Sequence, residues 1–417
     1  MFYLASRPIS SPLVRGPVLA CSSRLDGLAA LALAALLAGC AAPSHQVQAT
    51  RQGRATAPSP PQMVRSTEAT EAQLNLAHKQ GYAEERAEKW YLTHAAPAAH
   101  QQPAGEYVVG YALSAPEGWY DLAGETLTWH PAAGATAHLR VFVRDGADNR
   151  PLPGLTVRAT FTPVGGAALP PQELPAGWYP LLSAYGDNVT LPPGTYHLQL
   201  DISRLPFRRH DPYNGDRLTR PVVAEFEKVP LTAALATQLP LSEAAAADAE
   251  LTQTQGDAYH ETLAALYEDA NSGATRAGGD YQVGYAADYA LASWKAEKPG
   301  EKFKYEIDTE ESGQLNAHLE ATVQEARTGR FVPGLHLTAT LADAAGRPLG
   351  TRELPFEWHP WVFHYGENWR VPRTGWYRLR LQADAPTFRR YGRTAGQVFN
   401  RGFDVTFDSV RVVTGAK

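Results

Sequence analysis

Short segments in which apolar and polar residues alternate recur along much of the chain, and this alternation is typical of half-buried β-strands. The clearest examples are 138–143, 155–161, 196–200, 318–323, 335–341 and 377–381. Gly, Pro, Asn and Asp cluster between the segments, for instance in 192–194 and 343–346, where turns need these residues. Several short strands per stretch of roughly 120 residues favour an antiparallel immunoglobulin-like sandwich, with a small barrel as the alternative.

A helical period precedes each group of predicted strands, over about 68–93 and 244–270. In the second segment Tyr259, Leu263 and Leu266 fall on one helical face. We interpret both helices as packing or spacing elements.

The strand pattern occurs twice, because blocks of the first half of the chain return in the second half. The offset is 174 residues at the first match and 180 at the next four, and the matched pairs are 105–112 with 279–286, 137–139 with 317–319, 153–155 with 333–335, 173–175 with 353–355, and 185–188 with 365–368. Such a repeat is a primary signal of architecture. We therefore predict an all-β fold of two tandem immunoglobulin-like sandwiches, each preceded by a helical segment and each pairing its strands internally.

The N-terminus carries the marks of an exported protein. Residues 27–39 read GLAALALAALLAG after three arginines, and the run ends at Cys40 in the sequence LAGC. A basic flank, a short apolar core and small residues at the cut indicate a signal peptide, and the run is too short for a transmembrane helix. The LAGC motif resembles a bacterial lipobox, so we predict a lipid anchor on Cys40; an ordinary secretory signal with a chance cysteine is the alternative.

These signals divide the chain into six parts. We predict a lipoprotein signal peptide (1–39), a flexible tether (40–66), a helical segment (67–104), a first sandwich (105–230), a linker with a helix (231–278) and a second sandwich (279–417). The expected location is the periplasmic side of the cell envelope, and the outer membrane in a Gram-negative host.

Composition excludes some functions. The chain has a net charge of −5 and no basic stripe, which argues against a nucleic-acid partner. Its two cysteines, Cys21 and Cys40, leave the mature protein without a disulfide. The motifs of nucleophilic, phosphate-binding or zincin enzymes are not found, so we expect no enzymatic activity.

Two segments of the second half could bind a metal ion. His318 and Glu320 stand two apart on a predicted strand and therefore share a face, although two polar residues facing solvent would give the same pattern. Glu357, His359 and His364 lie within eight residues among large aromatics, which could equally be a loop covering the core. Imidazole is the commonest ligand of first-row metals.

The blocks HLEA, FVPGL, HYGENW and FRRYGR, in this order, resemble the periplasmic iron-transport family, whose members bind copper or iron on an immunoglobulin-like sandwich and commonly dimerise. The resemblance covers 279–413 well and 105–227 weakly. It implies metal ligands at His318, Glu320 and His364. It also implies a methionine where this chain has Glu357, and a last histidine where it has Tyr391.

In the first half the family positions are only partly kept. The strand histidine is His138 and the last histidine is His210, but Arg140, Gly177 and Ala184 replace the other three ligands. A complete site in the first half is therefore not expected. If the two halves pair as an intramolecular dimer, as the family's dimers imply, His138 or His210 could complete the site of the second half.

We predict an envelope lipoprotein that binds Fe, Cu(II) or Zn and assists iron or copper uptake, with an envelope metal permease as its expected partner besides the membrane. The alternative is a structural or adhesive surface module, because fold does not imply function.

Overall fold

A computed structural model describes residues 62–94, 96–237, 249–295, 302, 304–306, 309–310 and 313–415. The predicted signal peptide, Cys40 and almost all of the tether lie outside the described residues. The helices are α1 (Glu71–His94) and α2 (Ala249–Asp269), with a 3-10 turn at Ala233–Thr237. Both helices begin and end within or next to the segments that show the helical period.

The strands are β1 (Ala98–Ala104), β2 (Tyr107–Ser114), β3 (Trp119–Ala123), β4 (Thr126–His130), β5 (Ala137–Asp145), β6 (Val157–Pro163), β7 (Gln172–Leu174), β8 (Ala176–Trp178), β9 (Ser183–Val189), β10 (Gly194–Ile202), β11 (Arg208–Arg209), β12 (Val222–Leu231), β13 (Ser272–Gly278), β14 (Tyr281–Asp288), β15 (Ser293–Lys295), β16 (Lys304–Glu306), β17 (Thr309–Glu310), β18 (Gly313–Gln314), β19 (Ala317–Glu325), β20 (Leu337–Asp343), β21 (Pro348–Glu353), β22 (Phe356–Trp358), β23 (Phe363–Trp369), β24 (Gly375–Ala383), β25 (Arg389–Tyr391) and β26 (Phe403–Val412).

These strands form two sandwiches, each made of an eight-stranded and a four-stranded sheet. The N-terminal sandwich has the orders β1-β2-β5-β9-β8-β25-β3-β4 and β12-β10-β6-β7. The C-terminal sandwich has the orders β13-β14-β19-β23-β22-β11-β15-β16 and β21-β20-β24-β26, and β17 and β18 form a separate hairpin. The predicted all-β class with two sandwiches is confirmed.

Alternation along the strands places one face of each sheet in a core. Leu198, Leu200 and Ile202 of β10 are buried, whereas the residues between them are partly exposed. The two sheets of each sandwich meet through the same kind of ring contact. Tyr111 packs edge-on against Phe226 at 4.8 Å, and Tyr285 packs on Phe407 at 4.7 Å.

The two sandwiches exchange one short strand each. β11 lies between β10 and β12 of the N-terminal sandwich in the chain but pairs in parallel with β22, with Arg208 opposite Glu357. In return, β25 pairs in parallel with β8, with Arg389 opposite Gly177. The prediction that each half pairs its strands internally is therefore wrong at these two strands. Each exchange covers the edge of a strand that would otherwise present unpaired backbone groups.

The helices pack side by side and against the large sheets. Gln80 of α1 donates to the Thr262 hydroxyl of α2 at 2.7 Å, and both side chains are buried. Gly81 and Gly256 permit close packing, because a Cβ on either would lie 1.8 Å from a backbone oxygen, that of Asp148 or Thr328. No helix within the described part of the chain is long and apolar enough to cross a membrane.

Candidate metal centre

Four buried side chains meet at the junction of the sandwiches and form what we call the donor cluster: His210, His318, Glu357 and His364. One potential ligand atom from each lies within 4.8 Å of the others. Three come from β19, β22 and β23 of the C-terminal sandwich, and His210 comes from the residue after the exchanged strand β11. The cluster therefore draws on both halves of the chain.

Strand register places these groups. Glu357 lies directly opposite His364 in the antiparallel pair of β22 and β23. His318 enters from β19, the other neighbour of β23. Gly366 keeps the space between them open, since a Cβ there would lie 2.6 Å from Glu357 Oε2 and 2.7 Å from His318 Nε2.

Three imidazoles converge on one carboxylate oxygen. Glu357 Oε2 lies 3.0 Å from His210 Nε2, 3.3 Å from His364 Nε2 and 3.5 Å from His318 Nε2. The ring orientations are held from behind: His210 Nδ1 lies 3.0 Å from the Ala292 carbonyl oxygen, and His318 Nδ1 lies 3.1 Å from Asn368 Oδ1. An Nδ1–H that donates to these oxygens leaves the Nε2 lone pair free to bind an ion, as in many metal sites.

Burial and mutual charge perturb the ionisation of the cluster. Burial lowers the pKa of His318 to about 3, with the neighbouring His210 and His364 acting in the same direction. Burial also opposes charge on His210, but the Glu357 carboxylate outweighs it and raises the pKa of His210 to about 9. Burial likewise acts to raise the pKa of Glu357, and the imidazoles overcome it and hold this pKa well below its usual range. The metal-free cluster thus holds a proton on His210.

Several buried polar atoms in and beside the cluster have no hydrogen-bond partner among the described residues. They are His318 Nε2, His364 Nδ1 and, beside the cluster, Glu320 Oε2. Buried polar atoms without partners are costly, and a bound ion is one of the standard explanations for them. Three imidazoles with one carboxylate are a donor set that fits Zn, Fe, Mn or Cu(II).

Glu320 and His359 lie beside the cluster and not in it. Glu320 is 6 % exposed and His318 1 %, so the alternative that this pair faces solvent is excluded. Glu320 Oε2 is 3.8 Å from His364 Nδ1, and burial raises the pKa of Glu320. The ring of His359 is centred 5.3 Å from that of His210.

Glu68, which sequence reasoning did not single out, lies on the outer side of this region. Its Oε2 accepts a hydrogen bond from the backbone N–H of Asp211 at 2.7 Å and lies 3.9 Å from His359 Nε2. Its Oε1 accepts a hydrogen bond from the Tyr305 hydroxyl. The negative charge of Glu68 also acts to raise the pKa of His210. No sequence motif marks this residue, because it lies in the segment before α1.

At the equivalent place in the N-terminal sandwich lie His138, Arg140, Tyr179 and Tyr391, which we call the tyrosine centre. His138 does not reach the donor cluster: its Nε2 is 3.0 Å from the Tyr179 hydroxyl, and its Nδ1 is 3.1 Å from Asn188 Oδ1. Tyr179 and Tyr391 stack with ring centroids 4.1 Å apart. Of the two histidines that could cross between the halves, His210 does so and His138 stays in its own sandwich.

Arg140 supplies a fixed positive charge to the tyrosine centre. Its guanidinium lies 3.7 Å from the ring centroid of Tyr179 and 4.0 Å from that of Tyr91, and donates to Glu117 Oε1 at 2.8 Å. Gly177 and Ala184 stand in the places of Glu357 and His364, so this centre keeps the strand histidine, His138, but lacks the carboxylate and the second imidazole of the donor cluster.

Comparison with known proteins gives structural likenesses only. No family model matches the chain, and no curated protein matches it. Among solved structures, FetP of uropathogenic E. coli strain F11, expressed in the periplasm of E. coli, is 16 % identical, with 34 % of this chain and 93 % of that chain covered and a TM-score of 0.25. Copper-reconstituted P19 of Campylobacter jejuni is 18 % identical, with coverage of 34 % and 96 % and a TM-score of 0.28. A copper-bound variant of FetP is 16 % identical, with coverage of 34 % and 95 % and a TM-score of 0.25.

Proposed function

We propose that this protein binds one transition-metal ion in the donor cluster and serves iron or copper uptake at the bacterial cell envelope. The observation that carries the proposal is the convergence of three imidazoles and a carboxylate in a buried site, with ligand atoms within 4.8 Å of one another. The HLEA and HYGENW blocks, which resemble the periplasmic iron-transport family, supply His318 and His364 to this same cluster.

The donor set selects a class of metal. Glu357 contributes a hard oxygen where the family resemblance implies a thioether, and the cluster has no sulfur ligand. Met63, the sole methionine after Cys40 in the sequence, packs against the hydrophobic core. Soft Cu(I) prefers sulfur, whereas imidazole and carboxylate suit Cu(II), Zn(II), Fe(II) and Mn(II). We expect Cu(II) to bind most tightly in vitro, because intrinsic affinity follows that order whatever the physiological metal is.

The pairing of the two halves belongs to the proposal. His210 reaches the cluster only because β11 lies along β22, and its Nε2 makes the shortest contact to Glu357, 3.0 Å. We propose that the chain acts as a covalently joined dimer in which the N-terminal half completes the site of the C-terminal half.

Calorimetric titration of metal-free protein with Cu(II) and Zn(II) tests the site. We expect a stoichiometry of one and a loss of at least about tenfold in affinity for His364→Ala, since even residues behind a ligand are worth 10–100-fold. His336→Ala is the matched control, because that side chain is 60 % exposed and its charged neighbours, Glu353 and Asp384, are not members of the cluster. Unchanged affinity in His364→Ala, or no uptake by the wild type, would contradict the proposal and favour the structural or adhesive alternative.

The envelope location depends on Cys40. We expect Cys40→Ala to move the protein from the membrane fraction to the soluble fraction, while Cys21→Ala, which lies in the predicted signal peptide, leaves it membrane-bound. A Cys40→Ala protein that still sediments with membranes would contradict the lipid anchor. Fractionation and immunoblotting provide the measurement.

A further inference from the structure

A cavity lies at the junction of the sandwiches, on the face of β8 and β9 opposite to the tyrosine centre. Its walls are largely apolar and include Leu152, Trp178, Tyr185, Phe331 and Phe388, with Arg330 at one side. Its volume is about 70 Å³, and it is partly open to solvent. A single water needs about 10–15 Å³ by this measure, so the space exceeds that of one bridging water several-fold.

The corresponding place in the C-terminal sandwich is filled by aromatic rings. Phe356 pairs with Tyr365 as Ala176 pairs with Tyr185, and Phe363 pairs with Trp358 as Ser183 pairs with Trp178. The rings of Phe356 and Phe363 are 5.5 Å apart, and Phe207 packs on Phe356 at 4.4 Å. The cavity therefore exists because Ala176 and Ser183 stand where the other sandwich has two phenyl groups.

The two helices also differ in the size of the side chain that they place beside these sites. Gly81 and Gly256 make the same close contact in α1 and α2, so Glu84 and Tyr259, three residues after each, are at equivalent places. Tyr259 packs on Phe331 at 5.5 Å and helps to fill the C-terminal place. Glu84 lines the cavity, and its carboxylate accepts a hydrogen bond from Gln255 at 2.7 Å.

The wall of the cavity also includes a buried hydrogen-bond donor that has no acceptor in the described part of the chain. Arg330 is 4 % exposed, and its guanidinium lies 4.0 Å from the ring centroid of Trp178. Its Nη2 donates to the Tyr179 carbonyl at 3.1 Å, but its Nε has no hydrogen-bond partner among the described residues. At the corresponding place in the C-terminal sandwich the arginine is Arg150, and its Nε does have an acceptor, because it donates to Asp148 at 2.9 Å.

We propose that this cavity binds a small, uncharged, single-ring aromatic molecule that carries a carbonyl or hydroxyl oxygen. The ring takes the place of the missing phenyl groups against Trp178 and Phe388, and the oxygen accepts the Nε–H of Arg330. The ligand is uncharged because the guanidinium already has carboxylates beside it, with Glu325 Oε2 at 3.9 Å and Glu84 in the cavity wall. This site is separate from the donor cluster and does not depend on metal binding.

The probe is 4′-fluoroacetophenone. Its binding to the full chain is measured by the broadening of its fluorine NMR signal, after a chelator has removed any metal from the protein. We expect wild type to broaden the signal and Ala176→Phe or Ser183→Phe to reduce affinity at least about tenfold, because each rebuilds the packing seen around Phe356 and Phe363. Ala123→Phe is the matched control, since it adds the same ring at an exposed strand end. Thermal melts confirm that each variant is folded, and either of the two cavity variants suffices.

Two further measurements test the chemistry of the ligand. Arg330→Met should weaken 4′-fluoroacetophenone by about tenfold, the scale of one hydrogen bond to a charged group, and leave the weaker binding of fluorobenzene unchanged. The proposal is overturned if wild type broadens no signal, if both cavity variants bind as wild type does, or if 4-fluorobenzoate binds more tightly than the ketone.

Discussion

The donor cluster and the tyrosine centre occupy the same register in the two large sheets. Glu357 is opposite His364 in one, and Gly177 is opposite Ala184 in the other. Each centre receives a ring from the other half: His210, the residue after β11, in the donor cluster, and Tyr391, the last residue of β25, in the tyrosine centre. Since backbone and topology are shared, the side chains alone decide which centre collects metal donors.

The comparison teaches how a buried polar centre obtains its positive charge. In the donor cluster Glu357 faces three imidazoles, and a metal ion would supply the charge that the carboxylate requires. In the tyrosine centre Arg140 supplies that charge permanently, and Glu117 balances it at 2.8 Å. Burial of an ion needs a partner in either case. The N-terminal half thus has a covalently attached cation, Arg140, where the C-terminal half has donors for a removable one.

Rebuilding the donors in the tyrosine centre should have the largest effect. We expect the combined change Arg140→Glu, Gly177→Glu, Tyr179→His, Ala184→His and Tyr391→His to raise metal stoichiometry from one to two. Both tyrosines must change together with Gly177, because a Cβ there would lie 2.6 Å from the Tyr179 ring and 2.8 Å from the Tyr391 ring. Elemental analysis of the folded variant measures the ratio. The control also changes both tyrosines, but it has Gly177→Gln in place of Gly177→Glu and keeps Ala184, so two of the four donors are missing and it should bind one ion.

Removing the crossing histidine comes next in size. His210→Ala should weaken Cu(II) and Zn(II) by about 10–100-fold, because it deletes a donor whose Nε2 lies 3.0 Å from Glu357 Oε2. His138→Ala is the matched control, since that ring is equally buried but contacts Tyr179 and Asn188 in the other centre. Equal losses in the two variants, measured by competition titration, would mean that His210 acts through stability and not through ligation.

The pH dependence of binding should be the smallest effect when it is counted per pH unit. The pKa of His210 is about 9 in the metal-free protein, so below that pH a metal must displace its proton. One displaced proton gives about a tenfold loss of affinity for each unit that the pH falls. This dependence should flatten above about pH 9, and His210→Ala should weaken it between pH 6 and 9. An affinity independent of pH over that range would contradict the proton on His210.

The sequence was sufficient for the features that depend on local order. Strand alternation placed His318 and Glu320 on one face, and both are buried on the same side of β19. The spacing of the repeated blocks predicted two sandwiches of one kind. Glu357 and His364 lie on either side of one short turn, and the antiparallel pairing of β22 with β23 therefore places them opposite each other.

Features that depend on long-range docking could not be derived with the same certainty. His210 and Glu357 are separated by 147 residues, and only the exchange of β11 brings them together. The sequence offered both His138 and His210 for crossing and did not distinguish them. The β3–β4 hairpin was not predicted either, and His130 in it lies 3.0 Å from Asp121.

The exchange of β11 and β25 has a consequence for how such a protein can change over generations. In an assembly of two identical chains every substitution is made twice, so a centre cannot be lost on one side and kept on the other. Here each centre is encoded separately, although each still borrows a strand from its neighbour. One half can therefore lack metal ligands and carry Ala176 and Ser183 where the other half has Phe356 and Phe363, while its strand β11 still brings His210 to the other half.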